Sequence, residues 1–103
     1  MNLYKLHTDA KNVLDDYKNM NDLSNASIKI VDDYGDIEYN NVFGQIHRTN
    51  GPAIITSGGT KFWCKHDMKH REDGPAVIYA NGDTEYWIND NKISKNKFNE
   101  RYM

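Results

Sequence analysis

The stretch HRTNGPAIITSGG at residues 47–59 returns as HREDGPAVIYANG at residues 70–82, 23 residues further on. Self-similarity at a period of roughly 20–50 residues marks stacked supersecondary units, none of which buries its apolar face alone. Aligned on glycines, GQIHRTNGPAIITSGGTKFWCKHD (44–67) faces MKHREDGPAVIYANGDTEYWINDN (68–91), with one residue added in the second turn to bring Thr60 onto Thr84. Upstream, YGDIEYNNVFGQIHR (34–48) matches NGDTEYWINDNKISK (81–95), so that Gly35, Asp36, Glu38 and Tyr39 fall on Gly82, Asp83, Glu85 and Tyr86. The chain therefore carries two full units, a degenerate unit before them and a decaying one after.

Each unit reads as a β-hairpin. PAIIT and PAVIY are β-branched runs, SGG and NGD are turn chemistry, and the aromatic-rich TKFWCK and TEYWIN return. Asn50-Gly51 and Asp73-Gly74 supply a tight turn in which glycine tolerates positive φ. Pro52 and Pro75 then open a strand, where a missing N–H costs least. On this alignment, side-chain alternation puts Ile37/Tyr39, Thr60/Phe62/Cys64 and Thr84/Tyr86/Ile88 on an apolar core face. Glu38/Asn40, Lys61/Trp63/Lys65 and Glu85/Trp87/Asn89 take the opposite face.

Both ends predict helices. TDAKNVLDDYKNMNDL sets Val13, Leu14 and Tyr17 on one stripe behind a Thr8 or Asp9 cap, and SKNKFNERYM spaces Phe98 from Tyr102 by four residues behind Ser94. The expected fold is mainly β: an antiparallel β-hairpin repeat meander flanked by an N-terminal and a short C-terminal helix. It is one domain over 1–103, with a helical segment at 1–25, repeats at 26–93 and a helical cap at 94–103.

Composition excludes several classes. At 38% hydrophobic and 27% charged residues, the chain has the balance of a globular protein and not of a disordered one. No apolar run reaches the roughly 18 residues of a membrane span, MNLYKLHTD has no signal-peptide core, and a lone Cys64 cannot close an internal disulfide. These features predict a cytoplasmic location. The net charge of −2 is split: residues 1–43 hold four lysines against eight acids, and 44–103 hold nine basic residues against seven acids.

The pattern H-R-x-x-G-P-A, followed by a turn glycine and an aromatic pair, stands here as His47 to Ala53 and His70 to Ala76. It resembles the MORN-like repeats of small phage and giant-virus proteins. The resemblance covers residues 31–95 and departs from the motif at Ser94-Lys95, which replaces His-Arg. It implies a scaffold or binding surface, a viral source, and, for a phage protein, host enzymes or defence complexes as targets in the host cytoplasm.

Candidate sites follow from the residues themselves. His47 and His70 occupy equivalent repeat positions, which favours a shared structural role, because catalytic constellations rarely repeat. Cys64, His66 and His70 invite zinc, but the paired short spacings of zinc sites are lacking, so no metal and no cofactor is expected. No nucleophile elbow or phosphate loop occurs, and no enzyme is expected. The stretch KFWCKHDMKHR (61–71) interleaves Lys61, Lys65, Lys69 and Arg71 with Trp63. With Trp87 on the same polar face, it reads as an interface for a host or viral protein, aromatics on polar faces being frequent anchors. The alternative is a nucleic-acid-binding module in which the basic residues hold phosphates and Trp63 stacks a base. An acidic surface is expected from Asp15, Asp16, Asp32, Asp33 and Asp36, joined by Asp22 and Glu38.

Overall fold

The computed structural model describes residues 20–103. Within them a 3-10 turn, Met20–Asn25, leads into β1 (Ile28–Val31), β2 (Ile37–Asn40), β3 (Ile54–Ile55), β4 (Lys61–Phe62) and β5 (Cys64–Lys65). There follow β6 (Met68–Lys69), β7 (Val77–Ile78), β8 (Thr84–Ile88), β9 (Asn91–Ile93) and a helix, α1 (Lys95–Tyr102). One antiparallel sheet has the order β1-β2-β3-β4-β7-β8-β9, and β5 and β6 form a side hairpin that interrupts the meander. The fold is mainly β with a C-terminal helix. The helix expected over residues 1–25 lies outside the described residues except for Met20–Asn25, which is the 3-10 turn.

The period has a physical basis in three equal turns, at 32–36, 56–60 and 79–83. In each, the first residue's N–H donates to the fifth carbonyl, at 3.0, 2.9 and 2.8 Å. In each, a glycine N–H (Gly35, Gly59, Gly82) donates back to the first carbonyl. These glycines hold φ of +85°, +101° and +94°, a region that side chains disfavour.

Because the turns are equal, no residue is added between Thr60 and Thr84, and the register differs by one from the sequence alignment. Glu38, Ile54, Phe62, Val77 and Glu85 form one cross-strand row. Ile37, Ile55, Lys61, Ile78 and Thr84 form the next. A one-residue slip moves every side chain to the other face. Phe62 and Cys64 therefore lie on the side of Glu85 and Trp87, opposite Tyr39 and Tyr86. Trp63 takes the position of Tyr39 and Tyr86, and Lys61 shares its side.

Successive units are clamped by groups that recur with the period. Asp36 Oδ1 accepts the Ser57 N–H at 2.7 Å, and Thr60 Oγ1 accepts the Ala80 N–H at 3.3 Å. The hairpin turns 66–67 and 89–90 need positive φ at both central residues, here 51° and 67°, then 48° and 67°. None of the four residues is glycine, so the turns are held from outside. His47 Nδ1 accepts the His66 N–H at 3.1 Å, and His70 Nδ1 accepts the Asn89 N–H at 3.0 Å. Asp67 Oδ1 accepts the Ile46 N–H at 2.6 Å, and Asp90 Oδ1 accepts the Lys69 N–H at 3.1 Å.

The Gly-Pro links differ from the expected tight turns between neighbouring strands. The link carrying Gly74 joins β6 to β7, which lies beside β4 and β8. Its glycine makes room for a guanidinium: a Cβ on Gly74 would meet Arg71 Cζ at 3.0 Å, and one on Gly51 would meet Arg48 Nη1 at 3.1 Å.

Each arginine of the motif lies on an aromatic ring that precedes it in its unit, Arg48 over Tyr39 of β2 at 3.9 Å and Arg71 over Trp63, between β4 and β5, at 4.0 Å. Ser94 stands one period beyond Arg71, and there the ladder changes chemistry. Ser94 Oγ caps α1 by accepting the Lys97 N–H at 3.2 Å. The helix then sets Phe98, 1% exposed, on Tyr86 with ring centroids 4.6 Å apart. An aromatic thus ends a stack that cations built in the earlier units. Ala53, Ala76 and Val77 are fully buried under these links, together with His47.

Candidate binding groove

Two successive H-R-x-x-G-P loops stand side by side and enclose a groove of about 540 Å³. One wall is Arg48, Thr49, Asn50 and Gly51, the other is His70, Arg71, Glu72 and Asp73, and Trp63 and Lys65 complete the lining. Repetition builds this feature: each loop is pinned through its arginine, whose Nη1 donates to a proline carbonyl at 3.1 Å, Pro52 for Arg48 and Pro75 for Arg71. Both guanidiniums are therefore fixed before any ligand arrives.

The two arginines differ in their counter-charge. Arg71 Nε donates to Asp73 Oδ1 at 2.9 Å, and this bond holds the Asp73 carboxyl below its usual range. The equivalent residue beside Arg48 is Asn50. Among the described residues, no carboxylate lies within ion-pair distance of Arg48. Glu72 Oε1 lies 3.7 Å from His70 Nε2, on the wall that also carries the Arg71–Asp73 pair, while Arg48 and Lys65 are cationic.

The basic and aromatic residues picked out by sequence divide between two faces. Trp63, Lys65 and Arg71 meet in the groove, and Lys61 is exposed on the same side of its strand. Trp87 points the other way. Its Nε1–H donates to Glu85 Oε1 at 2.9 Å, and Lys69 Nζ sits 4.1 Å above its ring. The two tryptophans thus do not share a surface, and both are half-buried with a cation on the ring. The one-residue register slip is the reason that sequence had put them together. Arg48 was missed as a site residue, although its equivalence to Arg71 and the Asn50-for-Asp73 exchange both stand in the opening repeat.

Of the expected acidic surface, Asp15 and Asp16 lie outside the described residues. Asp32 Oδ1 accepts the Tyr34 and Asp36 N–H groups at 2.9 and 3.0 Å, and Asp36 clamps the next turn, so both have structural duties. Asp33 is exposed. The residues weighed for zinc are dispersed in role: Cys64 is buried, the His66 ring stacks on His47 at 4.3 Å, and His70 holds Asn89. Burial pushes the Cys64 thiol up to about 11. Among the described residues, no three His, Cys, Asp or Glu side chains converge as metal ligands. None of the described helices is long and apolar enough to cross a membrane. No family model, curated protein or solved structure matches the chain.

Proposed function

We propose that this chain is a small, non-enzymatic binding protein of viral origin and MORN-like construction, working in the host cytoplasm by docking on another protein. One observation carries the reading: two copies of the repeat loop enclose a single groove in which Trp63, Arg48, Lys65 and Arg71 converge. Rigid guanidiniums on aromatic rings bind with little further loss of side-chain freedom, and Arg and Trp dominate the centres of protein interfaces. His47 and His70, which would be natural acid-base candidates, each use Nδ1 to hold a turn. The basic residues are also split, with Lys69 turned to the Trp87 face. That division weakens a continuous phosphate track and favours a protein partner over nucleic acid.

The test compares capture of partners from host lysate by the wild type and by the Arg48→Gln/Lys65→Gln variant, with and without nuclease. Retention that survives nuclease and is lost in the variant supports docking through the groove. Retention that vanishes with nuclease, together with micromolar gel shifts on single-stranded DNA or RNA, replaces the proposal with nucleic-acid binding.

A further inference from the structure

We infer that Arg48 is a carboxylate receptor, and that the groove takes an extended peptide segment of the partner with a Glu or Asp side chain set against Arg48 and Lys65. The inference rests on the docking function proposed above and names the chemistry that the groove reads. Its starting point is the asymmetry between two equivalent repeat loops. In the second loop, Arg71 satisfies Nε with Asp73 and Nη1 with the Pro75 carbonyl. In the first loop, the Pro52 carbonyl takes Nη1 of Arg48, but Asn50 replaces the carboxylate. Among the described residues, no carboxylate takes the Arg48 Nε–H that its repeat partner gives to Asp73, and Arg48 lines the groove.

Three features make this edge a receptor. The guanidinium is held over the Tyr39 ring, close to Gly51, and bonded to the Pro52 carbonyl, so its orientation is set in advance. Lys65 lines the same groove and adds a second positive charge. A planar fork aimed at a carboxylate gives paired, charge-assisted hydrogen bonds, stronger than neutral ones. The opposite wall decides the class of ligand. Glu72 brings negative charge to that side, where Asp73 is already paired with Arg71, and it disfavours a strand carrying a phosphate at every residue. A peptide meets no such conflict, because its acidic side chain faces Arg48 while neutral or basic neighbours face Glu72.

The test uses the full chain, ¹⁵N-labelled, at low salt. It is titrated with a capped Gly/Ser/Glu peptide, with the Gln counterpart of that peptide, and with oligothymidylate. Asn50→Asp is the decisive variant, since it writes the second loop's own counter-ion into the first and leaves the fold intact. The Glu peptide is expected to shift the Arg48 Nε–H and Trp63 Nε1–H signals. Its affinity should fall at least about tenfold in Asn50→Asp and in Arg48→Gln, the loss that one ionic hydrogen-bonded pair brings. The Gln peptide should bind the wild type equally weakly. Equal binding by wild type and Asn50→Asp, or equal binding of the two peptides, overturns the receptor role and leaves docking through the groove standing. Binding of oligothymidylate in preference to either peptide overturns both. Absence of any shift with the Glu peptide overturns the receptor role alone, and the lysate capture then reports on docking.

Discussion

Replacing His47 with Phe tests the central device of the repeat, a buried histidine that holds the next unit's turn. The ring is fully buried, and its Nδ1 accepts the His66 N–H at 3.1 Å. Phe keeps a ring against His66 but removes the acceptor, leaving a half-buried N–H in a turn that already carries positive φ at two non-glycine residues. Stranding such a donor costs about 1–3 kcal/mol, and removal of the buried His47 Nε2–H, which has no partner among the described residues, offsets part of that. With a urea slope of about 1 kcal/mol/M for a chain of this size, the midpoint should fall by about 1 M. His70→Phe should lose less, because His70 Nδ1 does the same for Asn89, an exposed residue whose N–H water can reach.

The same residue carries a pH signature. Burial, then the neighbouring His66 and Lys65, hold the His47 pKa below its ordinary 6.5. Below 6.5 the unfolded chain therefore binds more protons at this site than the folded one, and stability rises with pH there. Its contribution is complete above pH 6.5 and is lost as pH falls through the window towards the depressed folded value. Urea melts followed by circular dichroism at pH 8, 7, 6 and 5 give both quantities. His47→Phe should show the lower midpoint at pH 8 and a shallower decline from pH 7 to 5 than the wild type. A midpoint at pH 8 equal to the wild type's, or an unchanged pH slope, would refute the assignment.

Phe98→Ala should cost about 3–5 kcal/mol, as large-to-small changes at buried rings do, while Lys61→Ala stays within about 0.5 kcal/mol of neutral; thermal melts distinguish them. Gly74→Ala should be destabilising and should change Trp63 fluorescence, because the new methyl crowds Arg71 and shifts it over the indole. Adding Arg71→Ala should then rescue part of the Gly74→Ala loss. It should not rescue Gly82→Ala, whose cost comes from its φ of +94° in open space. Cys64, with its thiol raised to about 11, should react with a disulfide reagent at pH 8 at least about tenfold more slowly than the urea-unfolded chain, since only the thiolate attacks.

The repeat, the strand content and the Ser94 cap lie close to the sequence, because they depend on local residue chemistry, whereas the packing of Gly51 and Gly74 against arginines does not. HRTNGPA and HREDGPA announced a recurring turn, and the β-branched runs beside them announced strands. Phe98 and Tyr102, four apart behind Ser94, announced α1. The assignment of faces was not legible in the same way. Glycine alignment leaves a one-residue choice between Gly58-Gly59 and Asn81-Gly82, and both choices keep aromatics on each strand. Only the cross-strand pairing of Phe62 with Val77, and of Val77 with Glu85, settles it, since pairing is a long-range contact that no residue type encodes alone. The groove is likewise a tertiary product. It exists because two loops 23 residues apart are stacked side by side by the sheet, and only that stacking turns the exchange of Asp73 for Asn50 into an arginine lining a cavity with no counter-ion among the described residues.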